Sequence, residues 1–197
     1  MEKSIEFKID VNAKDMSGFT AFHCACAMGH SKIVEMMIQK STEFNIDMKS
    51  KDIQGSTAFH FVCRRGLSKI VEKMIQKSAE LDIDLTAKDK SGWTAFHNVC
   101  FGGNSITAEL IIQKSTEFNI DLNAKDTYGW TGFHLACVRN KIALVVMMIE
   151  NAEAFKIDLT AKDLDGKTGF QLAVEYGNED IVNIIKRKIP SITFYEL

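Results

Sequence analysis

The sequence predicts an all-α solenoid of stacked, homologous units. Two observations carry this. Asp15, Asp52, Asp89, Asp126 and Asp163 recur every 37 residues, each opening the phrase Asp-x-x-Gly-x-Thr-(Ala/Gly)-Phe-(His/Gln). A strict period of this length is the signature of stacked supersecondary units, each burying its apolar face on the next. Between successive phrases the apolar residues fall at helical spacing, in two runs per unit.

The elements follow in order. Asp-x-x-Gly is a turn signal, because glycine takes the positive φ of a tight turn without steric cost. Thr20, Thr57, Thr94, Thr131 and Thr168 come next, where an N-cap hydroxyl closes the first unpaired amides of a helix. The first unit then places Phe22, Ala25 and Cys26 at i, i+3 and i+4, with Gly29 as the stop. Phe59, Val62, Cys63 and Gly66 repeat the pattern, as do Phe96, Val99, Cys100 and Gly103. A second, longer helix is predicted by Ile33, Val34, Met37 and Ile38, and again by Ile70, Val71, Met74 and Ile75. Phe44, Leu81, Phe118 and Phe155 extend its stripe, so it is expected to run nearly to these residues. Asn45, Asp82 and Asn119 then stand at the exit, since Asn and Asp tolerate the left-handed conformation.

Asp-x-x-Gly-x-Thr-Ala-Phe-His-x-Ala-Cys, then Gly-x-x-x-Ile-Val-x-x-Met-Ile, then Asp-Leu-Asn-Ala-Lys, resembles the ankyrin repeat over essentially residues 3–190. The resemblance implies a β-turn and an antiparallel helix pair per unit. Two features depart from the family pattern. Ala-Phe or Gly-Phe replaces the usual Pro-Leu after the threonine. The period also exceeds the family's usual 33 by four residues, about one helical turn, assigned here to the end of the second helix. The expected organisation is one domain over 1–197, with repeats 15–51, 52–88, 89–125 and 126–162 and a capping repeat 163–190. Residues 1–14 read as the tail of a partial preceding repeat, as if the chain began inside a longer array, and 191–197 as a tail. Lys186 in an otherwise apolar column, Gln171 in the histidine column and Pro190, the sole proline, mark the cap.

Composition narrows the function classes. A net charge of −2 and a pI near 6.2 provide no long-range attraction for nucleic acid or anionic membrane. The opening MEKSIEFKID lacks an apolar signal core, and the longest apolar run, Ile142 to Ile149, is far short of a bilayer span. Four of five cysteines, Cys26, Cys63, Cys100 and Cys137, share one column, which reads as buried thiols of a reducing, cytoplasmic compartment.

His-x-x-Cys occurs four times, at His23, His60, His97 and His134. A closed zinc site needs four ligands at about 2.0–2.3 Å, whereas equivalent helices of neighbouring repeats lie ~8–10 Å apart. No metal site, cofactor or catalytic residue is therefore assigned. The family resemblance implies instead that each histidine bonds the helix-start threonine and the adjacent turn. A group repeated in every unit behaves as scaffold. Gly102-Gly103 reads as a helix stop and not as a phosphate loop.

The positions that vary between copies are the candidate binding residues. In the ankyrin family, turn tips and the exposed part of the first helix form a concave partner-binding surface. On the matching positions stand Phe19, Ser56, Trp93, Trp130 and Lys167 in the turn column, with Tyr128 beside them. The end of the first helix adds Met28, Arg64, Arg65, Phe101, Arg139 and Tyr176. Trp, Tyr and Arg are favoured interface anchors, each covering a large area while keeping a polar group. The alternative for Trp93 and Trp130 is packing between neighbouring turns. The expected function is non-enzymatic protein or peptide binding, with an acidic or phosphorylated, partly apolar segment as occupant. Alternatives are a spacer in a longer array, end-to-end self-association through the first repeat, and a consensus-derived scaffold.

Overall fold

A computed structural model describes residues 9–193, so the expected partial repeat at 1–14 and the tail at 191–197 lie partly outside the described residues. Each unit opens with a tight turn built by its aspartate. Asp15 Oδ1 accepts from the amides of Ser17 and Phe19, both at 2.8 Å, and Gly18 N–H closes on the Asp15 carbonyl at 2.9 Å. Asp52, Asp89, Asp126 and Asp163 do the same two and four residues on. Gly18 has φ 75°, and an added Cβ there would sit 2.8 Å from the Ile53 amide of the next turn. The glycine thus serves both its own conformation and the close approach of the next unit.

The turns are joined to one another. Ile53 N–H donates to the Ser17 carbonyl, Lys90 to Gln54, Thr127 to Ser91 and Leu164 to Tyr128, at 2.8–3.0 Å. One backbone hydrogen bond per step sets the register of the stack.

Five short first helices follow: α1 (Ala21–Met28), α3 (Ala58–Arg65), α5 (Ala95–Gly102), α7 (Gly132–Val138) and α9 (Gly169–Glu175). Each begins at the expected threonine, which is extended and closes a capping box with the residue three positions on. Gly29, Gly66 and Gly103 end α1, α3 and α5 in the left-handed region; in the fourth repeat Asn140 (φ 52°) takes that conformation. The second helices are α2 (Ser31–Gln39), α4 (Ser68–Gln76), α6 (Ser105–Lys114), α8 (Ile142–Phe155) and α10 (Glu179–Lys188). A 3₁₀ turn over Pro190–Thr193 follows α10.

The extra turn is where the period placed it, but it is continuous helix only in α8. After α2 the chain pauses and makes one separate turn, with Phe44 N–H on the Lys40 carbonyl and Ile46 N–H on that of Ser41. Asn45, Asp82 and Asn119 are left-handed at its exit, as the sequence predicts, and Lys156 takes the same conformation after α8. The pause coincides with serine in one column, Ser41, Ser78 and Ser115. Ser41 and Ser115 are buried and donate their hydroxyls to the carbonyls of Ile38 and Ile112, at 2.8 and 2.7 Å. Such back-bonding competes with the helical ladder. The fourth copy has Ala152, the best helix former, and runs on without a pause.

The core is one continuous cluster. Phe22, Phe59, Phe96 and Phe133 are fully buried between successive first helices, with Cys26, Cys63, Cys100 and Cys137 beneath them. Leu81, Phe118 and Phe155 pack partly against this core, whereas Phe44 is 53 % exposed. Ile33 is likewise 46 % exposed, while its equivalent Ile70 is buried. No described preceding unit covers these two residues of the first repeat. At the other end, α10 turns Ile181 and Ile185 inward and leaves Lys186, Arg187 and Lys188 in water.

A candidate binding groove on the turn and first-helix face

Three of the four repeated histidines use both ring nitrogens in structure. In the second to fourth repeats, the threonine N–H donates to histidine Nδ1 at 3.1–3.2 Å, and Nε2 lies 3.0–3.2 Å from a carbonyl of the next turn. An amide only donates and a carbonyl only accepts, so Nδ1 is bare, Nε2 carries the proton, and the ring is neutral. Burial lowers the pKa of all four rings, against weaker opposing effects of the nearby turn carbonyls. His23 differs: its Nε2 is buried without a hydrogen-bond partner, although the Ser50 and Ser56 backbones favour its charged form.

The column thiols are buried too. Burial pushes Cys26 up to about 12 and raises Cys63, Cys100 and Cys137 still further, which leaves them unreactive near neutral pH. All five cysteines are free, and among the described residues no three of His, Cys, Asp and Glu gather as a metal-binding group.

The non-repeating residues divide in two. Arg64, Arg65, Phe101 and Arg139 line one open groove of about 510 Å³, together with Ala27, Phe61, Gly102 and Lys141. Phe101 is its centre. The guanidinium carbon of Arg64 lies 4.3 Å from the ring centroid and that of Arg139 4.2 Å, one from the repeat before and one from the repeat after. Trp93 contacts the same ring at 5.3 Å between centroids, and Phe19 meets Phe61 edge-on at 5.1 Å. Met28, Tyr128, Trp130 and Tyr176 do not line the groove, although Met28, Tyr128 and Tyr176 are well exposed.

The two tryptophans have a structural task as well. Trp93 Nε1 donates to Asp126 Oδ2 and Trp130 Nε1 to Asp163 Oδ2, each at 3.1 Å. Each indole thereby ties its turn to the aspartate that builds the next one, and each packs partly on the core. The packing between turns that the sequence offers as an alternative is present. It leaves both rings only half-buried.

Four groove residues, Ala27, Phe61, Gly102 and Lys141, escape a search for Trp, Tyr and Arg, and two of them are instructive. Phe61 shares its column with Cys24, Asn98, Leu135 and Leu172, so its irregularity is visible in the sequence. Gly102 is the subtler case. A Cβ there would stand 2.3 Å from the Arg64 carbonyl, so the missing side chain lets the ends of α3 and α5 meet. That approach brings Arg64 onto Phe101.

The groove is electropositive. Partial burial, with Arg139 and Arg65 nearby, holds the Arg64 guanidinium below its ordinary value while leaving it charged. Arg65 Nε donates to the Ala27 carbonyl, and the Lys141 stem lies against Gly103. None of these four cations takes part in any of the seven ion pairs among the described residues, which use other lysines.

Comparison with known families agrees with the architecture. A model of ankyrin repeats in many copies matches residues 2–38, and a model of three ankyrin repeats matches 43–126. No curated protein matches the chain. Ankyrin repeats are in general protein-interaction modules, and typically non-enzymatic. With two adjoining matches over more than half its length and helix pairs stacked repeat on repeat, the chain belongs to the ankyrin-repeat family.

Proposed function

We propose that this chain binds a protein partner on the concave face formed by its turn tips and first helices, with Phe101 and its flanking arginines as the main anchor. One observation carries the reading: Arg64, Phe101 and Arg139, from three successive repeats, converge on a single open groove. None of the three is needed by the repeat. The equivalent positions of the first repeat are Ala27 and Met28, and its fold is the same. Aromatic rings backed by arginine are the usual centres of binding energy, because they shed water over a large area and retain directed donors. The remaining candidates, Met28, Tyr128, Trp130 and Tyr176, form the surround, with Phe19 reaching the groove through Phe61. The reading needs no catalytic group and no cofactor.

The test is selection of short random displayed peptides on the intact chain, followed by their affinity for the Trp93→Ala/Phe101→Ala variant. The variant's cooperative thermal melt is measured alongside. The expected result is at least about tenfold weaker binding by a folded variant, the scale of a lost hot spot. Peptides that bind the folded variant as well as the parent chain place the binding surface elsewhere.

A further inference from the structure

Resting on that reading, the groove also specifies the chemistry of its occupant. We infer that it takes an extended segment of a protein partner carrying two carboxylates two residues apart, one on Arg64 and one on Arg139, with the backbone between them crossing Phe101.

Three features support this. The first is uncompensated charge: Arg64, Arg65, Arg139 and Lys141 line one volume, and among the described residues no acidic side chain pairs with any of them. Both guanidinium carbons lie within 4.3 Å of one ring centroid, which puts the two charges within a Debye length, ~10 Å at 0.1 M salt, so they repel until an anion arrives. The second is preorganisation. A guanidinium lying on an aromatic face keeps its N–H edge free and in a fixed orientation, the geometry that meets a carboxylate with two parallel hydrogen bonds. The third is spacing. The arginines come from the repeats on either side of the ring, and with their guanidinium carbons 4.3 and 4.2 Å from its centroid the two charges are at most about 8.5 Å apart. Side chains at i and i+2 of an extended chain point the same way about 7 Å apart, which spans that gap. The overall charge of −2 means that the attraction is local to this groove and not a property of the whole molecule.

The peptides selected above also test this inference. They are sequenced, and one enriched peptide is synthesised in three forms: as selected, with its acids changed to Gln, and with a single phosphoserine in place of the pair. Binding is measured to the intact chain and to Arg64→Gln, Arg139→Gln and the double Arg→Lys variant, all checked by thermal melt. The expected pattern is enrichment of Asp or Glu at i and i+2, and about tenfold loss for each Arg→Gln, the scale of a charged bidentate pair. The Lys variant should bind at intermediate strength, keeping charge without the fork, and the Gln peptide and the single phosphoserine peptide should both bind worse than the acid pair. Enriched peptides without an acid pair overturn the inference while leaving concave-face binding intact. Equal or tighter binding of the single phosphoserine peptide also overturns it, as does acid-pair binding unaffected by either Arg→Gln change. A selection that enriches no peptide counts against the inference and against the proposed function alike.

Discussion

At the scale of single residues, His60, His97 and His134 join two repeats through opposite ring nitrogens, and only the neutral ring does both jobs. A proton on Nδ1 would face the donating threonine amide and break the cap. Because the folded pKa lies below the ordinary value near 6.5, the unfolded chain binds more protons between the two values, and stability rises with pH across that window. The histidine contribution is complete above about pH 6.5 and is lost as the pH falls toward the lowered pKa. Melting temperature should therefore drop between pH 7.5 and 5.5, and His97→Gln should shrink the drop. Gln171 shows that glutamine serves the same cap: its Oε1 accepts from Thr168 N–H at 3.0 Å. An unchanged pH profile for His97→Gln would remove histidine as the cause. The sequence disclosed these rings as scaffold through their recurrence, but the tautomer needed the partners on both nitrogens. Phe101 and the arginines stood out by failing to recur. Gly102 did not, because its effect lies in what its absent side chain permits in another repeat.

At the scale of elements, the first helices were legible almost to the residue, because threonine caps and glycine stops are local chemistry. The second helices were less so. Their apolar stripe continues through Phe44, Leu81 and Phe118, yet the backbone pauses before those residues wherever the column holds serine. Periodicity reports which side of a segment is buried and is blind to a hydroxyl that captures a backbone carbonyl. The reverse substitution tests this account. Ser115→Ala should join α6 to the turn that follows it, as Ala152 does for α8, with more helical circular dichroism and a gain of roughly 0.5 kcal/mol, the scale of the propensity difference. Lower helicity or lower stability would show that the serine hydroxyl supports the pause and does not merely cause it.

At the scale of the whole molecule, stacking separates two sets of contacts. Those that recur every 37 residues run along the array: the turn-to-turn amides, the histidine bridges, the buried phenylalanines. Each links only neighbouring units, as expected of a quasi-one-dimensional fold. The arginine and tryptophan contacts to Phe101, which occur once, gather on one face, at the ends of α3, α5 and α7. On the proposed reading, recognition by such a chain is a property of a few substituted columns on a uniform frame. Amide hydrogen exchange, with and without a selected peptide, tests this most directly. The account predicts added protection at the ends of α3, α5 and α7, around residues 64–66, 101–103 and 138–141, and at the adjoining turn of Trp93, with α4, α6 and α8 unchanged. Protection concentrated on those second helices, or on the exposed Ile33 and Phe44 of the first repeat, would contradict it.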